Sequence, residues 1–328
     1  MNRSARFALV LGKIAITVAL LWFALRDIDY SRTAIELSSA RWGMLLLAAL
    51  VLALQPAIGA LRWYVIMRRL GAPISPGQSL RLTYLSTFLN QVLPGGVGGD
   101  VIRMWLTFRE GHMLSHALNG VALDRIAGFV TLLASAALCV VALDRYPQLK
   151  MLELSLLPIA ALALAGVGTV MVLDRLPSSL RRFRPVRGLG SLAKDARLLF
   201  LSRSGALLVV ALSVLGNANL CASLFLFMLA FNVPLESSLL AASVAPVILA
   251  SSLPISVGGW GTREAAMVAM MSALSARPES AILASITFGL AGVLISLPGA
   301  FSLYRSMSRR TSATVSGTPT GLRAQGRK

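Results

Sequence analysis

Six long apolar runs constrain what this chain can fold into more than any other feature of its sequence. They cover residues 7–25, 42–67, 117–143, 154–173, 205–231 and 281–304. A helix needs roughly 20 apolar residues to cross the hydrocarbon core of a bilayer. Lipid cannot satisfy free backbone groups, so such segments are expected to be helical. The runs therefore predict an all-α polytopic membrane protein with about six full spans.

Composition excludes the main soluble classes. The 328 residues are 56% hydrophobic and 13% charged, which leaves too little polar surface for a soluble domain of this size. The net charge of +18 lies between the apolar runs, where it sets topology and attracts anionic lipid, so no nucleic-acid partner is predicted. The two cysteines, Cys139 and Cys221, lie inside apolar runs, and no metal site or cofactor is indicated.

Two glycine-rich breaks interrupt shorter apolar segments. Residues 93–103 read LPGGVGGDVIR and residues 253–263 read LPISVGGWGTR, with six identities in eleven positions at an offset of 160. Matching Gly/Pro breaks in the two halves of a membrane protein are the best sequence indication of a transporter binding site. The breaks therefore predict an internal repeat with a ligand site near it.

The charges between the apolar runs predict the topology of the chain. With a cytoplasmic N-terminus, residues 26–41, 144–153 and 232–236 fall outside without a positive excess, while residues 174–204, with a net charge of +6, fall inside. The segments beside the breaks are too short to span, so each break must enter the membrane and return. The first enters from the cytoplasm and the second from outside. This predicts two oppositely oriented re-entrant helical hairpins forming an inverted repeat.

The domain prediction follows from the same pattern. Residues 1–304 form one transmembrane lipid-transport domain with halves at about 1–150 and 155–304 and a cytoplasmic basic loop at 174–204. Residues 305–328 are basic and rich in Ser, Thr and Gly, which is typical of a disordered tail. Both termini are predicted to be cytoplasmic.

A half-helix is expected to start after each break, with Asp100 or Thr262 as the N-cap. Its free N–H groups and positive dipole end favour an anion. Arg103 and Arg263 fall in the first turn of these half-helices, and two roles are open for them. They bind a phosphate-bearing headgroup, or they form structural pairs, Arg103 with Asp100 or Asp124 and Arg263 with Glu264.

Asp124 and Arg125 are charged residues inside the third apolar run. Adjacent residues point in different directions on a helix, so they are expected to have separate partners. Charges inside a span indicate a functional role, or a structural pair with Arg103 or Arg62. Glu264 is expected to cap its half-helix or to exchange a proton. The predicted substrate-binding residues are Asn90, Gly95, Gly96, Gly98, Gly99, Asp100, Arg103, Asp124, Arg125, Gly258, Gly259, Arg263 and Glu264.

Other motifs carry less weight. Asp27 and Asp29 lie where membrane transferases that use polyprenyl-phosphate sugars keep an acidic pair, but no large extracytoplasmic loop accompanies them. His112 and His116 are four residues apart and lack an evident third metal ligand. The glycine breaks lack the GK[ST] ending of a nucleotide-binding loop. No catalytic residue is predicted.

Several of these motifs resemble one family when taken together. They are Arg62-Trp63, residues 90–100 with Arg103, Asp124-Arg125, and residues 253–264. The combination is similar to the lysylphosphatidylglycerol synthase transmembrane-region family, the flippase part of the multiple-peptide-resistance factor, over about residues 7–304. The resemblance implies a stand-alone member in the bacterial inner membrane, without the soluble aminoacyl-transfer domain.

The resemblance implies that the protein is a lipid flippase, a transporter that moves an anionic or lipid-linked headgroup between leaflets. It leaves the lipid, the direction of transport, the energy source and the oligomeric state open. Two other functions are kept as alternatives. One is a membrane-embedded transferase that uses Asp27 and Asp29 on a lipid-linked substrate. The other is a partner subunit that anchors a separate lipid-modifying enzyme through the basic loop.

Overall fold

The computed structural model of the chain describes residues 3–26, 30–93, 98–141, 147, 150–172, 184–201, 203–253 and 255–315. The helices within these residues are α1 Arg3–Leu25, α2 Tyr30–Ser38, α3 Trp42–Ala53, α4 Gln55–Arg69, α5 Pro76–Val92, α6 Gly98–Arg109, α7 Leu114–Val141, α8 Lys150–Val172, α9 Arg184–Phe200, α10 Arg203–Ala230, α11 Ser237–Ser252, α12 Thr262–Ala273 and α13 Glu279–Val315. The expected all-α architecture is confirmed.

Helices are present at each of the six predicted apolar runs. Within the described part of the chain, four helical segments have the length and apolar composition of a membrane span: Trp42–Arg69, Leu114–Cys139, Gly205–Ala230 and Glu279–Ser302. Shorter apolar helices cover Leu11–Leu25, Leu156–Val172 and Ser237–Ser252. The chain is a multi-pass membrane protein, and the count of six spans remains a prediction.

The second apolar run forms two helices, where the sequence predicts one. α3 ends at Ala53, and α4 begins at Gln55 with Pro56 in its first turn. Proline has no N–H group and its ring clashes with the preceding turn, so it is tolerated at a helix start but not in its interior. Asn219 of α10 donates a hydrogen bond to Gln55 Oε1 at 3.1 Å and so binds a third helix to this junction.

Each glycine break joins two helices that pack side by side. α5 contacts α6, and α11 contacts α12. The breaks also begin alike, because Leu93 and Leu253 both leave the helix in extended backbone with ψ values of 137° and 135°. A proline follows each leucine, and residues before proline avoid the helical conformation. The two breaks therefore form helical hairpins, α5–α6 and α11–α12.

Each hairpin packs against a long helix from the other half of the chain. α5 of the first hairpin packs along α13, and α11 of the second packs along α7. The first of these contacts is close, because a Cβ atom on Gly299 would overlap the backbone oxygen of Tyr84. Among the described residues, the largest buried apolar cluster includes Leu133, Phe227 and Met271, and so lies between α7, α10 and the second hairpin.

A helix occupies part of the segment that the sequence presents as one basic loop. The α9 side chains of Ala193, Ala196 and Leu199 are at most 1% exposed and pack against the bundle. Asn119 of α7 donates hydrogen bonds to two polar side chains of α9. The apolar spacing of three residues marks an amphipathic helix, and the density of charges around it hides this pattern in the sequence.

Candidate functional site

The end of α5 lies against the second glycine break. Gln91 is in the last turn of α5, where a Cβ atom on Gly258 would lie 3.0 Å from its Oε1 atom. On the other side, a Cβ atom on Gly292 of α13 would lie 3.1 Å from its Nε2 atom. The absence of side chains at both glycines leaves the space that Gln91 fills. The fold therefore brings the helix that leads into the first break against the second break.

The second break depends on glycine for its backbone conformation. Gly258, Gly259 and Gly261 have φ values of 58°, 82° and 82°, a region that residues with a Cβ atom rarely occupy. The break rests on α1, because the Val257 N–H group donates to Thr17 Oγ1 at 3.0 Å. Its glycines therefore allow a close approach to α1 and to Gln91.

The start of α6 is packed and capped by α5. Gly95 and Gly96 lie outside the described residues, and Gly98 is the first residue of α6. A Cβ atom on Gly99 would overlap the backbone oxygen of Ser86. Asn90 Oδ1 accepts a hydrogen bond from the Gly99 N–H group at 2.8 Å. An amide side chain therefore takes up a donor at this half-helix start.

The expected N-caps are wrong at both half-helices. Asp100 is the third residue of α6, and Thr262 is the first residue of α12, whose N-cap is Gly261. The caps come from other side chains. Asn90 serves α6, and Glu264 Oε2 accepts the Gly261 N–H group at 2.7 Å. The capping role expected of Glu264 is confirmed.

Asp124 joins two arginines in the interior of the protein. Arg62 Nε donates to Asp124 Oδ1 at 2.6 Å, and Arg103 Nη2 donates to Asp124 Oδ2 at 3.0 Å. Arg103 Nη2 also lies 3.4 Å from Asp100 Oδ1. Asp124 is 5% exposed and Arg103 is 4% exposed. Because buried charges are stable only when they are paired and hydrogen-bonded, these contacts tie α4, α6 and α7 together.

Arg125 extends this group of charges toward the surface. Its Nε and Nη2 atoms lie 2.6 Å and 2.5 Å from Asp100 Oδ2, and Ser86 Oγ donates to Asp100 Oδ1 at 3.0 Å. The Arg125 side chain is 52% exposed, whereas the Asp100 side chain is 7% exposed. Asp124 and Arg125 therefore have separate partners, as predicted. We call Arg62, Asp100, Arg103, Asp124 and Arg125 the first-half network.

The Arg103 guanidinium also stacks on a tryptophan. Its Cζ atom lies 4.1 Å from the centroid of the Trp63 ring, and Trp63 is 0% exposed. This cation–π contact adds to the stabilisation that the carboxylates give the buried Arg103 charge. The Arg103 Nε and Trp63 Nε1 groups, both buried, have no hydrogen-bond partner among the described residues.

The second half-helix start holds a smaller group of charges. Arg263 Nη2 donates to Glu264 Oε1 at 2.8 Å, and Arg263 Nε donates to Ser285 Oγ at 2.8 Å. The Ser285 hydroxyl in turn donates to Glu264 Oε1 at 2.7 Å. Arg263 is 4% exposed and Glu264 is 0% exposed. One guanidinium and one carboxylate therefore neutralise each other within a buried hydrogen-bonded cluster.

Both halves thus contain the arginine–acid pairs that a structural role for these arginines predicts. Arg103 is paired with Asp100 and Asp124, and Arg263 with Glu264. Any anion that reaches these arginines does so in competition with a carboxylate. Binding of a headgroup therefore has to come from donors that the carboxylates leave unused, or from a rearrangement of the pairs.

Sequence reasoning missed two members of these clusters as site residues. Arg62 belongs to the Arg62-Trp63 motif. Its position near the end of an apolar run indicated that its charge needs an acidic partner. Ser285 gave no signal, since serine is common in membrane helices. The described residues contain no group of three or more His, Cys, Asp or Glu that could hold a metal ion, and Asp27 and Asp29 lie outside them.

The comparison with family models identifies the family of the chain. The family model described as the lysylphosphatidylglycerol synthase TM region matches residues 10–299 of the 328-residue chain. The match includes both glycine breaks and every charged residue of the two clusters. No curated protein matches the chain. With nearly its whole length covered, the chain belongs to the lysylphosphatidylglycerol synthase transmembrane-region family.

Proposed function

We propose that this protein is a lipid flippase that moves an anionic or lipid-linked headgroup between the leaflets of the bacterial cytoplasmic membrane. Membership of the family supports a role with membrane lipids. The single observation that carries the proposal is the contact between the end of α5 and the second glycine break, where Gln91 lies against Gly258. Broken helices that meet within a bundle are how transporters place polar groups at membrane depth.

The helix bounds support the proposed inverted repeat. Moving α5 by 160 positions gives residues 236–252, which nearly coincides with α11, Ser237–Ser252. The same shift takes the α3–α4 pair to residues 202–229, close to α10, Arg203–Ala230. Each hairpin packs on the long helix that follows the other one. Such an exchange is expected when two related halves interlock about a common axis.

The charges at the two ends of the bundle support the proposed orientation. One end collects Arg68, Arg69, Arg81, Arg109, Lys194 and Arg197 against Glu110 and Asp195. The other end is more nearly balanced, with Arg26, Arg41, Lys150 and Arg277 against Glu36, Glu236 and Glu279. Because Lys and Arg are retained on the cytoplasmic side, the first end is proposed to be cytoplasmic.

This orientation predicts the labelling of single cysteines in a variant that lacks Cys139 and Cys221. Ser38→Cys, at an exposed position, should react with an impermeant maleimide added to intact cells. Lys194→Cys, also exposed, should react only after the membrane is permeabilised. The reverse pattern would contradict the orientation and the inverted-repeat topology with it.

The function is tested in proteoliposomes that contain lipids with a fluorescent headgroup. Purified protein is expected to let inner-leaflet lipid reach a quencher added outside. Asp27→Asn combined with Asp29→Asn should leave this activity in place, because the proposed transport does not use that pair. Loss of all lipid-linked activity in a well-folded double variant would favour the transferase alternative.

A further inference from the structure

A cavity of about 550 Å³ lies where α2 meets the start of α13. Its lining includes Ile35 and Glu36 of α2, residues 275–277 between α12 and α13, and Glu279 and Ser280 of α13. Ile35 is 66% exposed, so the cavity opens to the surroundings of the protein. Pockets of about 300–1,000 Å³ are the size in which proteins hold small ligands, so this cavity has room for a lipid headgroup.

The charged side chains of the cavity are not paired with one another. Glu36 and Glu279 bring two carboxylates and Arg277 brings one guanidinium, an excess of one negative charge. Within the part of the chain that the structure describes, none of these three side chains forms a salt bridge. Charges of both signs without partners are complementary to a ligand that also carries both signs, an ammonium for the carboxylates and an anion for the guanidinium.

Ser280 gives a second, independent indication of a ligand. It lines the cavity and is 4% exposed, and its hydroxyl has no hydrogen-bond partner among the described residues. Other buried serines of the bundle are bonded, as Ser243 Oγ is to the Leu240 carbonyl at 2.7 Å. Because a buried hydroxyl without a partner is costly, the Ser280 hydroxyl suits a ligand that brings an acceptor oxygen into the cavity.

The first turn of α13 supplies further donors at this place. Glu279 is the first residue of α13, and the Ile282 N–H group donates to the Pro278 carbonyl at 2.8 Å. The N–H groups of residues 279–281 therefore precede the first helical hydrogen bond, and such groups favour a phosphate. Because the Glu279 carboxylate shares this end, it would repel a bare anion, whereas an anion with an attached ammonium offers it a partner.

We propose that this cavity binds a phosphoethanolamine group, with the ammonium at the carboxylates of Glu36 and Glu279 and the phosphate at Arg277 and Ser280. The lipid that carries this group is phosphatidylethanolamine, and O-phosphoethanolamine is its soluble form. The exposed Ile35 side chain favours the lipid, because an apolar side chain beside a headgroup is suited to contact with an acyl chain. The site shares no residue with the two arginine clusters and does not depend on the proposed function.

The site is tested by native mass spectrometry of the full chain in detergent. The probes are phosphatidylethanolamine, phosphatidylglycerol, which lacks the ammonium, and phosphatidylcholine, whose quaternary ammonium has no N–H donor. We expect phosphatidylethanolamine to bind about tenfold more tightly than either, the contribution of one charge-assisted hydrogen bond. Equal binding of the three lipids would overturn the proposal.

Glu36→Gln should weaken the binding of phosphatidylethanolamine by about tenfold without weakening that of phosphatidylglycerol. Glu279→Gln should do the same, and it keeps the test available if the first variant does not fold. Glu236→Gln is the matched control, since Glu236 is an exposed carboxylate at the same end of the bundle and lies outside the cavity lining. Equal weakening by Glu36→Gln and Glu236→Gln would overturn the proposal. Loss of the lipid on addition of EDTA would also overturn it, because a divalent cation on the carboxylates would then be the ligand.

A competition experiment distinguishes the two sources of the group. Failure of O-phosphoethanolamine to displace phosphatidylethanolamine would support the site and assign it to the lipid. Displacement at a similar concentration would support the same group and assign it to the soluble compound. Binding is measured without transport, so selective binding in a protein that moves no lipid would support this site and contradict only the proposed function.

Discussion

Replacing Asp124 by asparagine is expected to destabilise the protein by about 3–5 kcal/mol, the cost of removing one partner from a buried ion pair. Asp124 is 5% exposed and accepts hydrogen bonds from Arg62 and Arg103. An amide offers one oxygen acceptor and no charge, so two guanidinium groups would lose their main counter-ion. Chemical unfolding in detergent, followed by tryptophan fluorescence, measures the free energy of unfolding.

Glu110→Gln is the control for this substitution. Glu110 pairs with Arg81 at the surface, where the two side chains are 22% and 48% exposed. Exposed ion pairs contribute about 0–1 kcal/mol, so this variant should unfold almost like the wild type. If Asp124→Asn were no more destabilising than Glu110→Gln, the first-half network would not be holding α4, α6 and α7 together.

Gly99→Ala is expected to have the second large effect, a loss of about 1–3 kcal/mol or more from overpacking. The added methyl group would overlap the backbone oxygen of Ser86, which cannot rotate away as a side chain can. α6 would have to move off α5, and the hydrogen bond from Gly99 N–H to Asn90 would be disturbed with it. The thermal midpoint of the purified variant in detergent measures this loss.

Gly166→Ala separates this packing effect from the general effect of removing a glycine. Gly166 is an exposed residue of α8, and a Cβ atom there would meet nothing within 4 Å. Alanine in an open helical position is expected to stabilise by about 0.5–1 kcal/mol. A Gly99→Ala protein as stable as the Gly166→Ala protein would mean that α5 and α6 are not in the close contact described.

Much of the fold was predictable because its signals are local. A proline after Leu93 and after Leu253 disfavours helical backbone at the residue before it, so each break marks the end of a helix. Hydrophobic length located the helices of the six long runs. The exceptions also have local causes. Pro56 divides the second run, and the apolar face of α9 lies among basic residues that dominate the average composition of the segment.

The candidate site was less predictable because its contacts join distant positions. Separate partners for Asp124 and Arg125 followed from helix geometry, and Arg62 and Arg103 were both candidates for Asp124. The pairing of Arg125 with Asp100 depended on how α6 and α7 pack. The expected N-cap of α6 failed for the same reason. Asn90 reaches back to Gly99 across the break, a contact that no spacing rule for a single helix describes.

The central claim, that the protein moves an anionic headgroup between leaflets, is tested most directly by translocation in proteoliposomes. A fluorescent lipid with an anionic headgroup in the inner leaflet is quenched from outside as it crosses, with the wild-type protein and the Asp27→Asn, Asp29→Asn double variant reconstituted in parallel. We predict fast quenching with both proteins, because the proposed transport does not use the acidic pair. Quenching by the wild-type protein at the rate of protein-free liposomes would contradict the account.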